Sequence, residues 1–166
     1  MSNKSKKIFL ALSIVVPFLL YCVFYYSKMI SNAPYKYSEF TSITLKAGLG
    51  GNYEKTFNSK TQDFQYVDVN DSLIKTKVRL NKDDLLFLHR KAAELGFWDW
   101  PEQMIGDKTG KAPRYYLEYE YQRKKKFMEI DAEYNENTKL RDAALQLAKT
   151  VDQAILDAQD RESKAK

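Results

Sequence analysis

The 166-residue chain has one cysteine, Cys22, and one histidine, His89. A single cysteine rules out a disulfide within the chain and any thiolate cluster. A single histidine rules out multi-imidazole metal centres, which recruit several N or S donors. Any Ser-His-Asp or Cys-His arrangement would have to use His89, which sits in a helical pattern next to Arg90 and Lys91. His89 is therefore expected on the solvent side of a helix, and no metal and no cofactor is expected.

Acidic residues are missing from the start of the chain. Lys4, Lys6, Lys7, Lys28 and Lys36 all precede the first of them, Glu39. The remainder carries 22 Lys/Arg and 22 Asp/Glu, so the formal net charge of +5 belongs to the N-terminal segment. Charge therefore gives no case for binding nucleic acid.

Long uncharged runs are also scarce, with one exception. Ile8 to Tyr26 reads IFLALSIVVPFLLYCVFYY. As a helix it would rise about 28 Å, close to the ~30 Å hydrocarbon core of a bilayer. Tyr25 and Tyr26 end it where an aromatic belt belongs, and Pro17 is tolerated in lipid when the freed carbonyl finds another donor. Residues 8–30 are thus expected to be a single-pass anchor with the lipid bilayer as partner. Residues 1–7 form a basic cytoplasmic N-terminus, and the lysine bias puts the rest outside the cytoplasmic (inner) membrane. The rival is a cleaved signal peptide. Its apolar region would be shorter, and the best cleavage site, Ser31-Asn32-Ala33, is followed by Pro34.

Residues 31–38 read as a polar linker, 39–160 as a globular domain, and 161–166 (RESKAK) as a disordered tail. Within the domain, Thr41–Leu45, Tyr53–Phe57 and Phe64–Val69 have strand character, and Ile74–Leu80 alternates apolar with cationic residues. Asn81 with Asp83 and Asp84 starts a helix that Gly96 ends. Tyr115–Tyr121 and Phe127–Tyr134 form a hairpin with an acidic face. Cross-strand pairs between that face and Lys75, Lys77 and Arg79 are expected if the strands share a sheet. A final helix carries the stripe Leu140, Ala144, Leu147, Val151, Ala154 and Ala158. The expected class is α+β: a transmembrane helix, then a small antiparallel sheet of four or five strands packed against two helices.

Motifs that suggest chemistry fail on spacing. Gly106-Asp107-Lys108-Thr109-Gly110-Lys111 has too few residues between its glycines for a phosphate loop, and Ala112 stands where the hydroxyl should be. Asp107-Lys108-Thr109-Gly110 resembles the phosphorylated-aspartate motif of P-type ATPases over four residues only, with Lys111 in place of the next Thr. A flexible turn-rich loop is expected there. Asp68 to Ser72 lacks the glycine and glutamate of a calcium loop.

Two candidate surfaces remain. Trp98, Asp99 and Trp100 form an aromatic corner that could line a ligand pocket. Arg123, Lys124, Lys125 and Lys126 form a basic turn suited to anionic lipid or an acidic partner. In organisation the chain resembles small anchored domains of bacterial envelopes, although no motif ties it to a family. The expectation is an envelope protein whose outer domain binds a protein partner or small ligand and is not an enzyme. The alternatives are a membrane-tethered immunity or inhibitor protein, and a hydrolase pairing Asp99 with Glu102 or Glu118.

Overall fold

A computed structural model of the chain describes residues 3–32 and 35–164. They form two units: the N-terminal helix, and a globular unit that starts at Tyr35.

Helix α1 runs from Asn3 to Asn32 without interruption at Pro17. Its stretch Phe9–Ser27 spans 19 residues with a mean hydropathy of 2.1, long and apolar enough to cross a membrane. The helix starts before the expected anchor at residue 8 and ends after residue 30. Of the expected linker, residues 33 and 34 lie outside the described residues, and the segment after them is not a linker at all. Tyr35 is only 7% exposed. Its ring stacks on Trp98 at 4.7 Å and meets Tyr121 edge-on at 5.3 Å. Tyr37–Glu39 form a short 3-10 turn, and the Tyr37 hydroxyl donates to the Lys82 carbonyl at 3.0 Å.

The globular unit is α+β, as its alternating strand and helix periods require. Its strands are β1 (Phe40–Leu49), β2 (Asn52–Asn58), β3 (Asp63–Val67), β4 (Leu73–Lys77), β5 (Gln103–Met104), β6 (Pro113–Tyr121) and β7 (Lys125–Asp131). They make one seven-stranded sheet in the order β4-β3-β2-β1-β6-β7-β5. That exceeds the expected four or five strands, and the sheet is mixed because β5 pairs parallel to β7. β5 has two residues and therefore no period to read; the Glu129 N–H, donating to the Glu102 carbonyl at 2.7 Å, holds it in place.

Helices α2 (Lys82–Leu95) and α3 (Thr138–Lys164) supply the apolar stripes that complete the core. Ile43, Leu45, Leu117, Tyr119, Met128 and Ile130 from the sheet share one buried cluster with Leu88, Ala92, Leu147, Val151 and Ile155 from the helices. Each large aliphatic side chain buried this way contributes about 1.5–3 kcal/mol. The start of α2 is fixed by a capping box. The Asn81 side chain accepts the Asp84 N–H at 2.8 Å, and Asp84 accepts the Asn81 N–H at 2.9 Å. Gly96 ends the helix in the left-handed region at φ 80°.

The tail expectation fails for residues 161–164. α3 continues to Lys164, Arg161 pairs with Asp84, and Glu162 accepts the Arg79 N–H at 3.0 Å. The expected charge pairing across the sheet also fails. β4 lies at one edge, with β3, β2 and β1 between it and the acidic β6–β7 hairpin. Lys77 pairs instead with Asp63 on the adjacent strand at 2.7 Å.

Candidate functional site

The aromatic corner is packed. Trp98 lies against Tyr35, Phe97, Tyr119 and Tyr121, with ring centroids 4.7 to 5.7 Å apart. Trp100 is buried and meets Phe97 edge-on at 5.7 Å. Asp99 and Glu102 are exposed, and Glu118 on the open sheet face accepts the Tyr116 hydroxyl at 2.9 Å. Trp98, Asp99 and Trp100 line neither the cleft beside α3 nor the groove between α2 and α3. The corner closes one end of the core, as a Trp-rich turn beneath a helix terminus does when its rings stack on each other.

His89 belongs to the same cluster, so the expectation of a solvent-facing side chain is corrected. It is half-buried, and its Nδ1 lies 2.9 Å from the Tyr121 hydroxyl. Its ring also packs near Tyr37 and Trp98 at 5.5 and 5.7 Å. Burial, aided by the nearby Arg90 charge, holds its pKa below the ordinary value.

Arg123, Lys124 and Lys125 of the basic turn are exposed, and each of the four residues also makes a contact within the globular unit. Arg123 grips Glu39 through two hydrogen bonds of 2.7 and 2.6 Å. Lys124 lies over the Tyr35 ring at 5.0 Å, and Lys125 pairs with Glu118 at 3.4 Å. Lys126 donates to the Trp100 carbonyl at 2.5 Å, and burial lowers its pKa. The turn therefore braces the aromatic corner and the start of β1.

The loop around Gly106–Ala112 is also better ordered than its composition suggests. The Asp107 carboxylate is 5% exposed. It accepts the Thr109 N–H and hydroxyl on one oxygen, and the Lys111 and Ala112 N–H groups on the other, all within 2.6 to 2.7 Å. These donors hold its pKa well below the carboxylate range. Such a carboxylate is a loop anchor, with its lone pairs already occupied. Asp131 has the same role in the layer beneath, accepting the Gly106 and Asp107 N–H groups at 2.9 and 2.8 Å.

A concavity lies where α3 leaves the helix-covered sheet face open toward β2 and β3. It encloses about 580 Å³. Ala47, Leu49, Phe64, Tyr66, Val67 and Leu156 supply apolar walls, with Glu54, Lys55 and Gln159 at the polar positions. Lys55 bridges to Asp152 of α3 at 2.5 Å and lies 5.7 Å from the Phe64 ring centroid. A cleft of this size, mostly apolar with a few placed polar groups, is the ordinary form of a small-molecule site. A second groove of about 790 Å³ runs between α2 and α3, where Phe87 and Leu145 sit among Asp84, Asp142, Lys149 and Arg161.

Among the described residues, no group of three or more His, Cys, Asp or Glu side chains is placed to hold a metal ion. The chain matches no protein-family model and no curated protein. The cleft residues escaped the sequence reading because they are dispersed. Leu49 is an apolar residue within a glycine turn, Leu156 lies off the buried stripe of α3, and Phe64 and Tyr66 read only as strand. In the structure Leu156 is 36% exposed beside the fully buried Ile155.

Proposed function

We propose that this chain is a single-pass protein of the cytoplasmic membrane, with its N-terminus inside and its globular unit outside, acting by binding a protein partner or small ligand. The anchor reading is supported by Phe9, Leu10, Ile14, Phe18 and Phe24, all exposed on α1, a pattern that suits hydrocarbon and not water. The orientation rests on Lys4, Lys6 and Lys7 ahead of the span, against Lys28 and Lys36 after it. The observation that carries the binding reading is the apolar cleft beside Leu156.

The test places a photo-cross-linking amino acid at Leu156 in the full-length protein in intact cells, with the same group at Lys139 as control. An adduct at Leu156 and none at Lys139 is the expected result. Equal labelling at both, or none at either, would overturn the reading. Protease added outside cells with a permeable outer layer is expected to remove the globular unit; protection until the inner membrane is lysed would reverse the topology.

A further inference from the structure

β4 ends the sheet, so one side of its backbone has no ladder partner among the described residues. The flanking bonds show which side. The Val78 N–H donates to the Gln62 carbonyl at 2.9 Å, and the Asp68 N–H donates to the Ser72 carbonyl at 3.0 Å. In an antiparallel pair, hydrogen-bonded and non-bonded residue pairs alternate. Thr76↔Phe64 and Ile74↔Tyr66 therefore exchange bonds, while Leu73, Lys75 and Lys77 turn their N–H and C=O groups to the free edge. The opposite edge, β5, is only two residues long.

The side chains at this edge have a definite sign. On the open sheet face Lys75 stands beside Gln65, and Lys77 beside Asp63. Lys77 is paired with Asp63, whereas Lys75 makes no ion pair among the described residues. Arg79 follows, exposed, with its backbone N–H donating to Glu162. Toward the other end, Val67 pairs with Leu73, which is 52% exposed, and Val69 stands fully in solvent. Asp68 and Asp71 flank that end and disfavour acidic groups there. On the other face, Ile74 extends the row that begins with Tyr66 in the cleft wall.

We propose that β4 is a docking edge for an extended segment of a partner protein, which adds as a further strand. That segment carries an acidic residue opposite Lys75, which makes no ion pair among the described residues, and an apolar one opposite Leu73. Main-chain bonds to an exposed edge supply affinity and alternate side chains supply selection. A second copy of β4 does not fit, because antiparallel self-pairing brings the Lys75 and Lys77 charges of both copies together. The proposal rests on the reading that the globular unit binds a protein.

The test uses the full chain in detergent and two fluorescein-labelled octapeptides, one alternating Thr with Glu and one alternating Thr with Lys. Fluorescence anisotropy is expected to show the Glu peptide binding about tenfold more tightly than the Lys peptide. Lys75→Pro removes an outward N–H and leaves the β3 ladder intact, so it is expected to abolish binding while the unfolding midpoint stays close to the parent. Lys75→Glu, a surface change compatible with folding, is expected to weaken the Glu peptide and favour the Lys peptide. Binding should also slow amide exchange at Lys75 and Lys77. Equal affinity for both peptides, no binding of the Glu peptide, or full binding by both variants overturns the proposal. Those failures leave cross-linking at Leu156 unaffected, so they are distinguishable from failure of the broader binding reading.

Discussion

Asp131→Ala tests whether two buried carboxylates, and not turn composition, hold the segment between the aromatic corner and β6. Asp131 is 0% exposed. One of its oxygens accepts the Gly106 and Asp107 N–H groups at 2.9 and 2.8 Å, and the other accepts the Glu133 N–H at 2.9 Å. Arg114 stands 3.9 Å away. Alanine leaves three backbone donors without that acceptor. Hydrogen bonds to a charged group are worth about 1.5–3 kcal/mol each. Water can reach Gly106 and Glu133, which are partly or fully exposed, so the net loss should be below the simple sum, at about 3–5 kcal/mol. Arg114 keeps Glu129 at 3.7 Å, which limits the further cost of an uncompensated charge.

For a unit of this size such a loss corresponds to a fall in melting temperature of about 10–20 °C. Urea unfolding followed by tryptophan emission measures it, and amide exchange localises it. Exchange should quicken first at Gly106, Asp107 and Glu133, then at Thr109, Lys111 and Ala112, whose partner Asp107 is itself held by Asp131. Gly50 should follow, because its N–H donates to the Ala112 carbonyl at 3.1 Å. Amides of β3 and β4 should quicken no more than the global loss of stability requires. Asp131→Asn keeps the volume but turns an NH₂ toward donors, so it should give the same pattern with a smaller loss. A loss below about 1 kcal/mol for Asp131→Ala would refute the reasoning, since it would mean the loop finds equivalent acceptors without this side chain.

Other expectations follow from single contacts. Tyr35→Ala should cost about 3–5 kcal/mol by urea unfolding, as for a large aromatic in a core; a cost near zero would return Tyr35 to a linker. His89 has its folded pKa lowered from 6.5 by burial, so its contribution is complete above that value and is lost as pH falls through it. The melting temperature should therefore decline from about pH 7 to pH 5, and His89→Gln should flatten that decline; an identical slope in the variant would contradict it. Gly50→Ala places a Cβ 1.7 Å from the Gly110 carbonyl oxygen at a positive φ of 56°, so the variant should lose about 2–4 kcal/mol, measured by thermal melting.

The sequence made legible whatever depends on local period and local caps. The apolar span of α1, the Asn81 and Gly96 ends of α2, the β6–β7 hairpin and the stripe of α3 each carry their signal within about a dozen residues. What stayed illegible depends on partners far apart in the chain. Tyr35 reads as linker because Trp98 and Tyr121, which bury it, are distant in sequence. His89 reads as a surface residue because its helix neighbours are charged, while Tyr121 on β6 supplies its contact. The basic turn reads as a free patch because Glu39 and the Trp100 carbonyl are invisible from within it.

The loop around Asp107 shows the same limit most clearly. Gly, Asp, Lys, Thr and Pro are turn chemistry on any composition scale. Two facts convert that composition into a fixed element. An aspartate carboxylate can accept from several N–H groups at once, and Asp131 sits opposite Arg114 in the β6–β7 register, directly beneath the loop. The first fact is local and the second is topological. Only their combination ties the segment down, through Asp107 within the loop and Asp131 on β7.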